Sequence, residues 1–244
     1  MSSPIMEVNH LQAGYQGHEI LEDISFRVWP GEICIILGGS GCGKSTLLKN
    51  LIRLQEPSGG SVQFFGEEIT GMDDREMEHV LSHLGVLFQN SALLNSFTVY
   101  DNLAIPLEQH TRLPLAIIGR MITTKLNLVG LGHAAHRFPS ELSGGMRKRA
   151  GLARAIILDP RLLFCDEPSA GLDPITSYAL DQLFLTLNRQ LRMTIVIVTH
   201  ELSSIYRLAD HIVFLHQGHV LFDGNLENAV SSSIPEVHAF FSTR

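Results

Sequence analysis

The chain has 244 residues, 45% of them hydrophobic and 18% charged, and its 18 Lys and Arg against 25 Asp and Glu leave a formal charge of −7. That composition predicts one compact globular domain and excludes a broad basic surface for nucleic acid. No apolar run approaches the roughly 20 residues that span a bilayer, and the start of the chain has neither a basic region nor an apolar stretch, so a cytosolic protein is expected. The three cysteines, Cys34, Cys42 and Cys165, form no C-x-x-C pair and predict reduced thiols.

Residues 5–9 and the run Ile20, Leu21, Ile24, Phe26 and Val28 predict antiparallel strands, and Trp29-Pro30-Gly31-Glu32 a turn. The short apolar run Ile33-Cys34-Ile35-Ile36-Leu37 predicts a strand covered on both faces, feeding a glycine-rich loop and a helix over residues 44–54. Similar runs at 84–88, 162–165 and 194–198 predict a largely parallel, helix-flanked α/β sheet. Between Gln89 and Asp159 the pattern turns helical, which predicts a helical subdomain (89–159) inserted into a core formed by 1–88 and 160–244. A hairpin around Gln217-Gly218, over 211–216 and 219–222, and a terminal helix close the chain.

Gly38-Gly39-Ser40-Gly41-Cys42-Gly43-Lys44-Ser45 fits G-x-x-x-x-G-K-[ST], with Thr46 following. Glycines let successive backbone N–H groups turn inward around phosphate oxygens at a helix N-terminus. Lys44 is placed to reach the β- and γ-phosphates of a nucleotide, and the Ser45 hydroxyl to take a position on Mg²⁺. The strand at 162–165 runs into Asp166 and Glu167, where ligands sit in α/β folds. Asp166 is the expected Mg²⁺ carboxylate, and Glu167 the acceptor of a proton from attacking water. A helix is expected from Arg147 toward Leu158, and before it Ser143, with the chemistry of an N-cap, and Gly144 and Gly145 make a second anion site. His200-Glu201-Leu202-Ser203-Ser204 begins like a zinc H-E-x-x-H motif but has Ser204 where the second histidine is required, which excludes zinc hydrolysis. The remaining histidines are expected to be solvated or loop residues rather than metal ligands, and one account of the basic run Arg147-Lys148-Arg149 is a solvated helix face completed by Arg154.

Together these motifs resemble the ATP-binding-cassette (ABC) ATPases over nearly the whole chain: a P-loop NTPase (RecA-like) core with an antiparallel β subdomain and a helical insertion. Leu142-Ser143-Gly144-Gly145-Met146 is similar to the family signature, with Met146 where many members carry Gln. Tyr15 resembles the aromatic that stacks on adenine, Gln89 the glutamine that binds Mg²⁺ or water, Asp173 the D-loop aspartate, and His200 the histidine holding the γ-phosphate and water. The resemblance implies two cassettes paired head-to-tail, with each ATP between one P-loop and the other signature. Segments 87–94, 99–108, 110–114 and 173–176 resemble the MlaF-type ATPases of bacterial Mla/Mce lipid-transport systems. That likeness implies ATP and Mg²⁺ as cofactors, a homodimer, and an integral membrane permease of the MlaE kind. It further implies an Mce-domain substrate-binding protein, a small STAS-type regulator, and a place on the cytoplasmic face of the inner membrane, peripheral through the permease. The 21 residues after Asp223 are fewer than in relatives whose tail grips the opposite subunit.

Overall fold

A computed structural model describes residues 3–15 and 18–242. The chain folds in the order β1 (Met6–Tyr15), β2 (His18–Val28), β3 (Ile33–Gly38), α1 (Lys44–Leu51), β4 (Gly59–Phe64), β5 (Glu67–Glu68), α2 (Asp74–Leu81) and β6 (Leu84–Leu87). Three helices follow, α3 (Val99–His110), α4 (Leu115–Leu128) and α5 (Gly144–Ala155). The chain then returns through β7 (Leu162–Asp166), α6 (Pro174–Leu191), β8 (Thr194–Val198), α7 (Leu202–Leu208), β9 (His211–His216), β10 (His219–Asn225), α8 (Leu226–Val230) and α9 (Pro235–Ser242).

The six-stranded sheet runs β10-β9-β3-β8-β7-β6 and is parallel except for β10, which forms a hairpin with β9. Gln217 (φ 46°) and Gly218 (φ 80°) make the expected hairpin turn in left-handed conformations. Alternate residues of each central strand enter different cores. Ile33, Ile35 and Leu37 pack with α3, α4, α5 and α6, while Cys34 and Ile36 pack toward β1, β2 and α1. Burial on both faces is why these strands read as unbroken apolar runs. The second sheet, β2-β1-β4-β5, is antiparallel. Phe64 of β4 meets Phe164 of β7 edge-on at 6.0 Å, which ties one sheet to the other and adds about 0.5–1.5 kcal/mol to the area the rings bury.

The sequence reading differs from the fold in several places. β1 extends to Tyr15, and β4 and β5 were not anticipated, because Gly59-Gly60-Ser61 reads as a turn. Gly60 is needed there: at φ 80° a Cβ would come within 2.3 Å of the His10 carbonyl oxygen. α1 stops at Leu51 rather than 54, where Arg53 turns left-handed (φ 54°). α5 begins at Gly144, directly after its Ser143 cap, and ends at Ala155. The helices between β6 and β7 start cleanly: Thr98 and Asp101 form a reciprocal capping box for α3, and Pro114 precedes α4. Among the described residues no helix is long and apolar enough to cross a membrane.

Candidate nucleotide site

Because β3, β8, β7 and β6 are neighbours and parallel, the segments after their C-terminal ends emerge side by side. Those segments carry the glycine loop, His200, Asp166 with Glu167, and Gln89, and this edge is where α/β sheets hold ligands. All of them border one cavity of about 640 Å³. Gly38, Gly39, Ser40, Gly41, Lys44 and Ser45 line it from the loop and the start of α1, Gln89, Asp166, Glu167 and His200 from the strand ends, and Leu202 and Phe240 from α7 and α9.

The glycines do different jobs. Gly38 (φ 152°) lies so close to β9 that a Cβ would fall 2.1 Å from the Leu215 carbonyl oxygen, and Gly43, the N-cap of α1 at φ 104°, would strike Leu21. A Cβ on Gly39 or on Gly41 would meet nothing within 4 Å. Bareness at 39 and 41 therefore keeps open a cradle for something outside the chain. Lys44 Nζ donates to the carbonyl oxygens of Gly38 and Gly39, both at 2.8 Å, so the ammonium is already folded back over the loop. Cys42 and Gly43 are buried behind the loop and Thr46 is half-buried; they shape the cradle without bordering the cavity.

At the strand ends, the Glu167 side chain is 15% exposed and that of His200 69% exposed, and His200 Nδ1 lies 2.7 Å from Glu167 Oε1. Thr199 Oγ donates to the other carboxylate oxygen at 3.3 Å. Glu167 adopts φ 42°, a left-handed conformation that costs of order 1–3 kcal/mol for a side chain of this size and is kept by the packing around it. Burial and the neighbouring Glu167 charge raise the Asp166 pKa above the usual carboxylate value, while Lys148, Lys49 and Lys44 pull it back down. Ser45, Asp166 and Gln89 supply hydroxyl, carboxylate and amide oxygens, the hard donors that suit Mg²⁺. The donor set and the open cradle fit a nucleotide with its magnesium.

Ser143, Gly144, Gly145 and Asp173 lie outside this cavity. Ser143 Oγ accepts from the Met146 N–H at 3.3 Å, and Asp173 caps α6 by accepting from the N–H groups of Ile175 and Thr176. Hydrogen bonds from Thr176 hold the Asp173 carboxyl below its ordinary pKa. Tyr15 ends β1, and its side chain lies outside the described residues.

Two expectations are corrected. The basic residues of α5 do not form one solvated face: Arg147 is exposed, but Lys148 is buried and donates to the carbonyl oxygens of Gln89 (2.6 Å) and Glu167 (3.2 Å). Arg154 donates to the carbonyl oxygens of Ala92 and Ser91. The one available signal was spacing, since Lys148 stands four residues before buried Leu152 and shares its helix face. His211, in the strand expected for it, is likewise not solvated. It is held in β9 between Glu32, 3.0 Å from Nδ1, and Asp223 at Nε2, and these bonds together with one to Cys34 push its pKa up to about 12 against the opposing effect of burial. Leu202 and Phe240 were not anticipated at the cavity, because α7 and α9 reach it only through the tertiary fold.

A phosphate-cradling loop, an acid pair at the end of a buried strand and a histidine on the next strand define a P-loop nucleotide hydrolase. The profile of the ABC transporter family matches residues 21–170. A probable ribonucleotide transport ATP-binding protein, mkl of Mycobacterium tuberculosis, is 41% identical over 98% of this chain and 67% of its own length. The intermembrane phospholipid transport system ATP-binding protein MlaF of Haemophilus influenzae is 38% identical over 95% of this chain and 88% of its own. A methionine import ATP-binding protein, MetN of the same species, is 39% identical over 84% of this chain and 59% of its own. Among solved structures, the dimeric ATP-binding cassette MJ0796 bound to ADP and phosphate superimposes with a TM-score of 0.83 at 27% identity, covering 91% of this chain and 98% of that one. This chain belongs to the ABC transporter family as an ATP-binding subunit close to the MlaF type, and it hydrolyses ATP with Mg²⁺ to drive transport.

Proposed function

We propose that this subunit powers the movement of phospholipid through a separate membrane permease, acting as a homodimer on the cytoplasmic face of the inner membrane. The observation that carries the hydrolytic half is the Glu167–His200 pair bordering the same cavity as the glycine loop. In this reading the Glu167 carboxylate takes a proton from water as its oxygen bonds to the γ-phosphorus, and the bond from that phosphorus to the β–γ bridging oxygen breaks. His200 orients the carboxylate and water, and Lys44 leaves its loop carbonyls for the β- and γ-phosphates. Ser45, Asp166 and Gln89 hold the magnesium, whose charge offsets that of the phosphates. Tyr15 takes the adenine, and Ser143, Gly144, Gly145 and Asp173 complete the site of the opposite subunit. Their position outside the cavity of their own chain supports this shared arrangement.

The segment from Gln89 to Asp159 is the subdomain that meets the permease. Exposed Leu94 and Phe97 before α3, and Leu113, Leu115 and Ile117 around the start of α4, offer apolar side chains near either end of α3 to a membrane subunit's cytosolic helix. The lipid reading rests on similarity to an MlaF protein over 88% of that protein's length, and an MlaE-like permease, an Mce-domain protein and a STAS-type regulator are the partners it brings. Similarity to MetN favours a second reading, import of a small solute such as an amino acid. Reconstitution of the subunit with its co-purifying permease in vesicles separates them. Labelled phospholipid should move with ATP and labelled methionine should not; the reverse result overturns the lipid assignment.

A further inference from the structure

Among the described residues, Lys148 is a buried cation near the cavity to which the chemistry above gives no task. It is 7% exposed, and lysine is tolerated at such a position only when its ammonium is well satisfied. Its two acceptors, the carbonyl oxygens of Gln89 and Glu167, come from the segments after β6 and β7. Neither bond uses a side chain that would meet nucleotide; both hold the main chain of residues whose side chains border the cavity. Those main chains need holding. Glu167 is left-handed (φ 42°), and Ser91 (φ 60°) and Ala92 (φ 48°) follow Gln89 in the same uncommon region. Such conformations persist only where surrounding contacts over-determine them. α5 also approaches this segment closely at Gly151, where a Cβ would sit 2.8 Å from the Ser91 Cβ.

We infer that Lys148 is a positioning residue for ATP hydrolysis: its ammonium fastens the backbones of Gln89 and Glu167 to α5, so that one helix sets both side chains in the cavity. The inference rests on the proposed roles of Glu167 and Gln89. Electrostatics fits the same arrangement, because the carboxylates of Asp166 and Glu167 offset the burial that lowers the Lys148 pKa, and Lys148 in return lowers that of Asp166. The consequence is mechanical. α5 starts at Ser143, so a displacement of its N-terminus is carried by Lys148 to the metal-side amide and the base of the same chain.

The test is Lys148→Met, which keeps the stem and removes the donor, beside Lys148→Arg, which restores donors. In K148M, kcat should fall by about ten- to a hundredfold, the cost of misplacing reacting groups by a fraction of an ångström to one ångström. KM for ATP should stay within about twofold, because binding through the glycine loop is untouched. Amide hydrogen exchange at residues 89–92 and at 167 should quicken in nucleotide-free K148M, and K148R should recover most of both losses. Unchanged kcat in K148M overturns the inference. So does a fall in kcat with unaltered exchange, or a loss that arginine does not repair. Should K148M fail to fold, Lys148→Gln, which keeps a single donor, is read by the same measurements. Glu167→Gln run in parallel separates the premises. Turnover surviving in E167Q removes the base assignment, whereas an inactive E167Q beside a fully active K148M removes only the role of Lys148.

Discussion

The two helix starts proposed above to meet phosphate are furnished differently. The start of α1 is capped by Gly43 with no side-chain bond, and it opens into a cavity that also holds a lysine, two acids, a glutamine and a histidine. The start of α5 is capped by the Ser143 hydroxyl, stands exposed, and lies outside that cavity. The first carries reactive groups on every side, and the second offers only N–H groups and a hydroxyl. A helix start of the second kind can recognise phosphate but has nothing with which to hydrolyse it, and it gains a catalytic context only from another molecule.

The comparison breaks most sharply at the base. Glu167→Gln should leave ATP binding near normal and lower turnover by about 10²–10⁴-fold, since an amide cannot accept the proton. Phosphate release close to the parent rate would remove Glu167 from that role. Mixing subunits probes the division of labour next. Ser143→Arg and Lys44→Ala should each silence a homodimer, yet their heterodimer retains one site with both halves intact, so activity should return on mixing. No recovery, with heterodimers demonstrated, would mean that the α5 start does not serve the other chain.

A smaller effect separates glycines within the α1 loop. Gly38→Ala should lower stability by about 2–4 kcal/mol, because the Cβ collides with a β9 carbonyl at a positive φ. Gly39→Ala should melt like the parent and show its defect only in ATP affinity. Equal melting temperatures for the two variants would deny that one glycine serves the fold and the other the ligand. The mildest test lies far from both helix starts, at His211. Its pKa is raised from 6.5 to about 12, so the stabilisation is complete below pH 6.5 and is lost as pH rises toward 12. Glu32, Asp223 and Cys34 are the groups facing it. Unfolding free energy should therefore decline across that window in the parent, and this component should be absent in His211→Gln. Identical pH slopes in denaturant titrations would show that the cluster does not supply it.

What could be read in the sequence divides along the same physical line. The glycine loop, the acid pair, the signature segment and the central strands lie in contiguous residues, so local pattern was enough to find them. The 2.7 Å approach of His200 to Glu167 joins the ends of two strands, and only the parallel neighbours β7 and β8 bring it about. Lys148 and His211 were misread for a shared reason. Each looks solvated by residue type, and each is buried by partners far away in the chain: Gln89 and Glu167 for one, Glu32 and Asp223 for the other. β4 was hidden by Gly59-Gly60, where pairing with β1 outweighs a sequence that favours a turn.

The three cysteines have a practical consequence. Cys34 and Cys165 are fully buried, with thiol pKa values pushed up by that burial, and Cys42 is buried behind the phosphate loop. Ionised thiolate is the species that reacts with maleimides and alkyl halides, so Cys34 and Cys165 should be slow to label. Cys42, 7% exposed with its Sγ 3.7 Å from the Lys44 ammonium, is then the native thiol that a labelling experiment has to remove. With Cys42 replaced and Cys34 and Cys165 left in place, a single cysteine introduced at exposed Ile175 would report the separation of the two proposed subunits through a turnover cycle.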